Sequence, residues 1–160
     1  MKFIKALLAV LALSFSLNAL ALNDDQYMEF TSAVTEGNLK VVKKYVEADH
    51  KILEEKFFAW EPLQMAASHN QLEIVKYLIK QGADLNYAHP VEKTTAFHLA
   101  AYSGYKDVVK ALADAGADIN KKMKGGMSIA YVVRLNNHPE MADYLVSLGV
   151  SEDGCKDECF

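Results

Sequence analysis

The chain has 160 residues, 51% of them hydrophobic and 24% charged, and a formal net charge of −4. That is apolar material enough for one compact domain. An acidic chain with no basic stripe is a poor match for nucleic acid or for anionic membrane surfaces. Its only two cysteines cannot build a structural zinc site, which wants four ligands.

Residues 1–21 stand apart. Lys2 and Lys5 give a positive start, residues 6–17 form an apolar run broken only by Ser14 and Ser16, and Ala19-Leu20-Ala21 follows. Small residues at 19 and 21 fit the two positions a signal peptidase reads, so the segment is expected to be a secretory signal cleaved before Leu22. Losing Lys2 and Lys5 with it takes the formal charge from −4 to −6. An uncleaved membrane anchor is the other reading, for which the run is short. No Cys follows the cleavage point, which argues against a lipoprotein anchor. The short, simple apolar region has a bacterial look, and the expected address of the mature chain is the periplasm.

After residue 22 the sequence repeats itself. Gln81-Gly82-Ala83-Asp84-Leu85-Asn86 returns as Ala115-Gly116-Ala117-Asp118-Ile119-Asn120, with a worn copy at Leu148-Gly149-Val150. A period of about 34 residues means one supersecondary unit stacked on copies of itself. Upstream of each glycine, Glu61-Pro62-Leu63-Gln64-Met65-Ala66-Ala67 matches Thr95-Ala96-Phe97-His98-Leu99-Ala100-Ala101. Then Ile74, Val75 and Leu78 match Val108, Val109 and Leu112, an apolar stripe at helical spacing. The paired alanines allow close helix approach, Pro62 suits a first helical turn, and Gly82, Gly116 and Gly149 suit left-handed caps. These motifs resemble the ankyrin repeat. The resemblance implies an all-α solenoid of about four helix–turn–helix repeats with finger loops. The expected division is residues 1–21 as signal, 22–150 as repeats (24–53, 57–86, 91–120 and 124–150) and 151–160 as an acidic tail. The outer two units are degenerate: 30–49 lacks the opening motif, and Tyr131 stands where the pattern has His.

The same resemblance implies where a partner sits, on finger tips and on the exposed side of each first helix. Counting back from Glu61, Thr95 and Ser128 gives Phe57, Phe58 and Trp60 on one finger, Val91, Glu92 and Thr94 on the next, and Lys124 and Met127 on the last. On the helices the matching pairs are Ser68-His69, Tyr102-Ser103 and Leu135-Asn136. Phe57, Phe58 and Trp60 are the anomaly, since fingers are mostly polar. An exposed aromatic cluster of this kind would anchor an interface, although the three could instead fold inward over the first unit. Lys121, Lys122 and Lys124 read as a solvated finger tip.

Catalytic patterns are absent: no G-x-S-x-G, no H-E-x-x-H and no phosphate loop occur. His50, His69, His89, His98 and His138 include no pair at i, i+3 or i+4, and His98 falls at a scaffold position of the repeat. No cofactor or metal is implied. Cys155 and Cys159 could close a small disulfide in an oxidising compartment; a redox-active or intermolecular pair is the other reading. The expected function is therefore non-enzymatic binding of one protein partner. Resemblance to small periplasmic proteins of this kind implies two forms of it. One is an immunity protein occluding an envelope-targeted toxin, the other an accessory to a catalase or other haem enzyme in peroxide resistance. The contrasting class is a thiol/disulfide redox protein using the tail cysteines.

Overall fold

The computed structural model describes residues 22–154. The signal-like segment 1–21 and the tail residues Cys155 and Cys159 lie outside the described residues.

Among the described residues eight α-helices come in four pairs: α1 (Asp24–Glu36) with α2 (Leu39–Ala48), α3 (Pro62–Ser68) with α4 (Leu72–Lys80), α5 (Ala96–Tyr102) with α6 (Lys106–Asp114), and α7 (Ile129–Leu135) with α8 (Pro139–Ser147). Short 3-10 turns occupy His50–Glu54 and Lys124–Gly126. No strand forms among the described residues, as the all-α solenoid requires. First helices stack on first helices along the whole array, and second helices pack on one another through the first three units.

Local chemistry explains where each helix starts and stops. Asn23 and Gln26 close a reciprocal capping box on α1, with bonds of 2.9 and 3.1 Å. Pro62 and Pro139 open α3 and α8 at a position that needs no N–H donor. Each second helix from α4 onward ends in a left-handed glycine. After α6, Gly116 has φ 90°, its N–H reaches Ala113 O at 3.0 Å, and the Ala117 N–H reaches Leu112 O at 3.1 Å. That double bond satisfies carbonyls the helix would otherwise leave bare, in a geometry open to Gly at little cost.

The core runs as one seam between the helix layers. Ala66, Ala67, Ala100, Ala101 and Ala130 are buried where first helices meet, and Ile74, Val75, Leu78, Val108, Val109, Leu112 and Leu145 fill the space beneath the second helices. The first unit departs from the others. Its α1 has 13 residues against seven in α3, α5 and α7, and it brings Phe30 and Val34 inside. The Tyr45 hydroxyl bonds the Glu29 carboxylate, tying α2 to α1, and burial together with Glu29 pushes the Tyr45 phenol up to about 12.

Candidate functional site

Each unit from the second onward begins with a tight finger that enters a seven-residue first helix. Residues 57–60 form a two-residue hairpin, with Phe57 N–H to Trp60 O at 2.8 Å and Trp60 N–H to Phe57 O at 3.0 Å. Its two central residues, Phe58 and Ala59, both hold positive φ, 54° and 68°. In the second finger the His89 N–H meets Thr94 O at 2.8 Å, and in the third the Met123 N–H meets Met127 O at 3.0 Å.

The aromatic finger does not present all three rings. Phe57 is a core residue, 1% exposed, packed on Tyr27 (4.9 Å between ring centres) and Phe30 (5.3 Å). The expectation that Phe57 faces a partner is therefore corrected. The chain reverses at Phe58, whose positive φ aims its side chain away from that of Phe57, and α1 supplies an aromatic wall for Phe57. Phe58 takes the other direction and is 86% exposed at the tip, touched edge-on by Tyr27 at 5.8 Å. Trp60 is half-buried against the core.

The remaining expected positions fall into three groups. Val91, Glu92 and Lys124 are exposed on their fingers, as are His69, Tyr102, Ser103, Leu135 and Asn136 at the helix ends. Tyr102 and Leu135 are the largest of these, 54% and 66% exposed. Thr94 and Met127 are half-buried, and their carbonyls close the fingers. Ser68 is half-buried too, and its hydroxyl is engaged locally, donating to Met65 O at 2.9 Å.

Side chains at one repeat position tie each unit to the next. Gln64 Nε2 donates to Thr94 O at 2.8 Å. One unit on, His98 Nδ1 accepts the Thr95 N–H at 3.0 Å, which leaves the proton on Nε2 to donate to Lys121 O at 3.0 Å. Burial drives His98 down to about 4, so the ring is neutral at pH 7. Tyr131, in the fourth unit, lies against Gly154. Further lateral ties run from Tyr87 Oη to Ala59 O (2.9 Å), from Lys124 N to Glu92 O (3.1 Å) and from Asp118 N to Asn86 Oδ1 (2.8 Å). Under the first finger Glu61 is buried and accepts from Lys56 Nζ at 2.6 Å. Burial pushes its carboxyl above the usual range even so.

At the far end of the first helices, about 10 Å from the fingers, lie the turns 68–71, 102–105 and 135–138. None of these residues is Lys, Arg, Asp or Glu, whereas the exposed faces of α4 and α6 carry both signs of charge and that of α8 carries the acids Glu140 and Asp143. A neutral strip of this composition, with Tyr and Leu standing out of it, matches the interior of a protein interface.

Tyr27, which meets the Phe58 ring from α1, was missed because α1 carries no repeat motif. Asn70 and Asn137 were also missed. Both hold positive φ where Gly104 does in its unit, and aligning the copies at that glycine would have found them. Among the described residues no group of His, Cys, Asp or Glu gathers to hold a metal ion, and no helix is long and apolar enough to cross a membrane.

A family model described as "Ankyrin repeats (3 copies)" matches residues 30–123. The chain is 36% identical over 110 residues to ankyrin repeat and SAM domain-containing protein 6 of Rattus norvegicus, covering 68% of this chain and 12% of that one. It is 36% identical over 90 residues to human ankyrin repeat and SOCS box protein 3, covering 55% of this chain and 17% of the relative. Human protein phosphatase 1 regulatory subunit 27 is 29% identical over 86 residues, 54% of this chain and 55% of the relative. The chain thus spans a small part of the first two and about half of the third. With the family model, the helix pairs and the glycine caps in agreement, this chain belongs to the ankyrin repeat family, whose repeats are protein-binding modules.

Proposed function

We propose that the chain is a non-enzymatic module that holds one protein partner across the strip between the finger tips and the turns of the first helices. The observation that carries this is the neutral row of turns, where Tyr102 and Leu135 stand exposed, beside fingers that expose Phe58 and Val91 among the charged Glu92, Lys93 and Lys124. Each such side chain, once desolvated, contributes about 1.5–3 kcal/mol, so two or three anchors suffice for a specific complex. The row is rigid before binding, because Gln64, His98 and Tyr87 fix the fingers laterally, and a preformed surface loses little entropy on docking.

The finer reading places the mature chain in the periplasm, where it occludes a toxin aimed at the cell envelope. It rests on the signal-like segment and on resemblance. The test is site-directed photo-crosslinking in the native envelope, with the probe at Phe58, Tyr102 or Leu135 and, as controls, at Lys80 or Glu140 on second helices. One partner captured from the first three sites and from neither control supports the module. Equal capture from both sets refutes the face, and a haem enzyme in place of a hydrolase refutes the immunity reading.

A further inference from the structure

Residues 151–154, Ser-Glu-Asp-Gly, leave the glycine cap of α8 and run back across the fourth unit. The Ser151 N–H donates to Asn120 Oδ1 at 2.8 Å. Lys122 Nζ donates to Ser151 Oγ at 3.0 Å and to the Asp153 carboxylate at 2.8 Å. The Ser128 N–H, ahead of α7, reaches Asp153 O at 3.1 Å. Arg134 clasps the Glu152 carboxylate through Nε and Nη2, with Asp143 on its other side at 2.8 Å. Gly154 lies so close to the Tyr131 ring that a Cβ would come within 3.1 Å of it.

This seat repeats the joint between earlier units. Asn120 receives the Ser151 N–H as Asn86 receives that of Asp118, also at 2.8 Å. Tyr131 and Gly154 stand where His98 and Lys121 stand one unit before. What differs is the means of attachment. Val150 is buried, but residues 151–154 bring no apolar side chain and are held by polar contacts and partly exposed ion pairs. Such contacts are weakened by salt and exchange readily.

We propose that this edge is a peptide-binding seat, filled in cis by residues 151–154, which accepts in trans an extended acidic segment of a partner protein. The pattern it reads is a small hydroxyl residue, two carboxylates and a glycine. Asn120 and the Ser128 N–H fix the backbone, Lys122 and Arg134 read the two acids, and the Tyr131 ring crowds any side chain at the fourth position. The seat uses none of Phe58, Val91, Tyr102 or Leu135 and stands or falls independently of the binding strip.

The test uses the full chain with Glu152→Lys and Asp153→Lys, which turn the cis segment against Lys122 and Arg134, and follows amide exchange by NMR. The Ser128 amide should exchange about tenfold faster or more, with the helix amides unchanged. A peptide Val-Ser-Glu-Asp-Gly at about millimolar concentration, comparable to a tethered segment, should restore its protection saturably. The same peptide with Lys at both acid positions, or Val for Gly, should not. Adding Lys122→Ala to the variant should abolish the rescue. An unchanged Ser128 amide in the double variant overturns the proposal, and so does a peptide that gives no saturable protection.

Discussion

Phe58 and Ala59 in the first finger stand where Gly125 and Gly126 stand in the third, and all four residues hold positive φ, 54° and 68° against 78° and 73°. For glycine this conformation is nearly free; for Phe and Ala it costs about 1–3 kcal/mol each. The third finger is a solvated glycine tip. The first is a strained turn clamped from below, with Phe57 in the core, Tyr87 bonded to Ala59 O and Lys56 over the Tyr87 ring at 4.6 Å. The same pair of left-handed residues thus does two things. With glycine it merely turns the chain, and with Phe58 it spends conformational energy to stand an aromatic ring in water.

The largest test of that contrast is Phe57→Ala. Removing a buried ring from between Tyr27, Phe30 and the finger should cost about 3–5 kcal/mol in urea unfolding, whereas Lys124→Ala, at the matching place in the third finger, should be near neutral. A mild Phe57→Ala would break the clamp argument. Binding would be lost in that variant through folding, so it cannot map the interface.

Acid should act next, through His98 and the third finger. The folded His98 sits at about 4 against an unfolded 6.5. Its share of stability is present above 6.5 and lost as pH falls from there toward 4, about 3 kcal/mol at most. Urea midpoints measured across that window should fall, and His98→Gln, which borrows the side chain of Gln64, should flatten the His-dependent part. Glu61, raised by burial, has the opposite sign: its share is present below 4.5 and is lost as pH rises through its folded value. The comparison between wild type and His98→Gln therefore isolates the histidine.

Smaller effects of opposite sign should follow from exchanging the turn residues. Ala59→Gly relieves a left-handed alanine and should stabilise by about 1 kcal/mol. Gly125→Ala should destabilise by about as much, since its added Cβ meets only Met127 Cε at 3.6 Å and the penalty is conformational. Equal signs would mean that the two fingers do not share a turn energetically. Phe58→Ala should move stability least, within about 0.5 kcal/mol, yet weaken binding to the crosslinked partner about tenfold or more. Isothermal titration alongside thermal melts would separate the two readouts.

Much of this could be read along the chain, because the signals are local. The cap glycines, the alanine pairs and the i, i+1, i+4 stripes each concern residues within one or two turns of a helix, and the period multiplies them. The partner-facing set was harder. An extended finger would also make Phe57 and Phe58 diverge, but here they part at a left-handed turn residue, and which ring turns inward depends on Tyr27 and Phe30 in a helix with no motif. Exposure of Leu135, equally, depends on α7 and α8 leaving it bare at the end of a turn.

The acidic run at 151–154 makes the same point from the other end. As sequence it is only a charged tail. Its seat is assembled from Asn120, Lys122, Ser128, Arg134 and Tyr131, up to 34 residues away and on three different segments. Repeat period, helix limits and caps were determined by the sequence alone, since hydrogen bonding and backbone strain are settled within a few residues. Which side chains face water, and what fills the last joint, only the tertiary structure decided, because each unit's surroundings are supplied by the neighbour stacked on it.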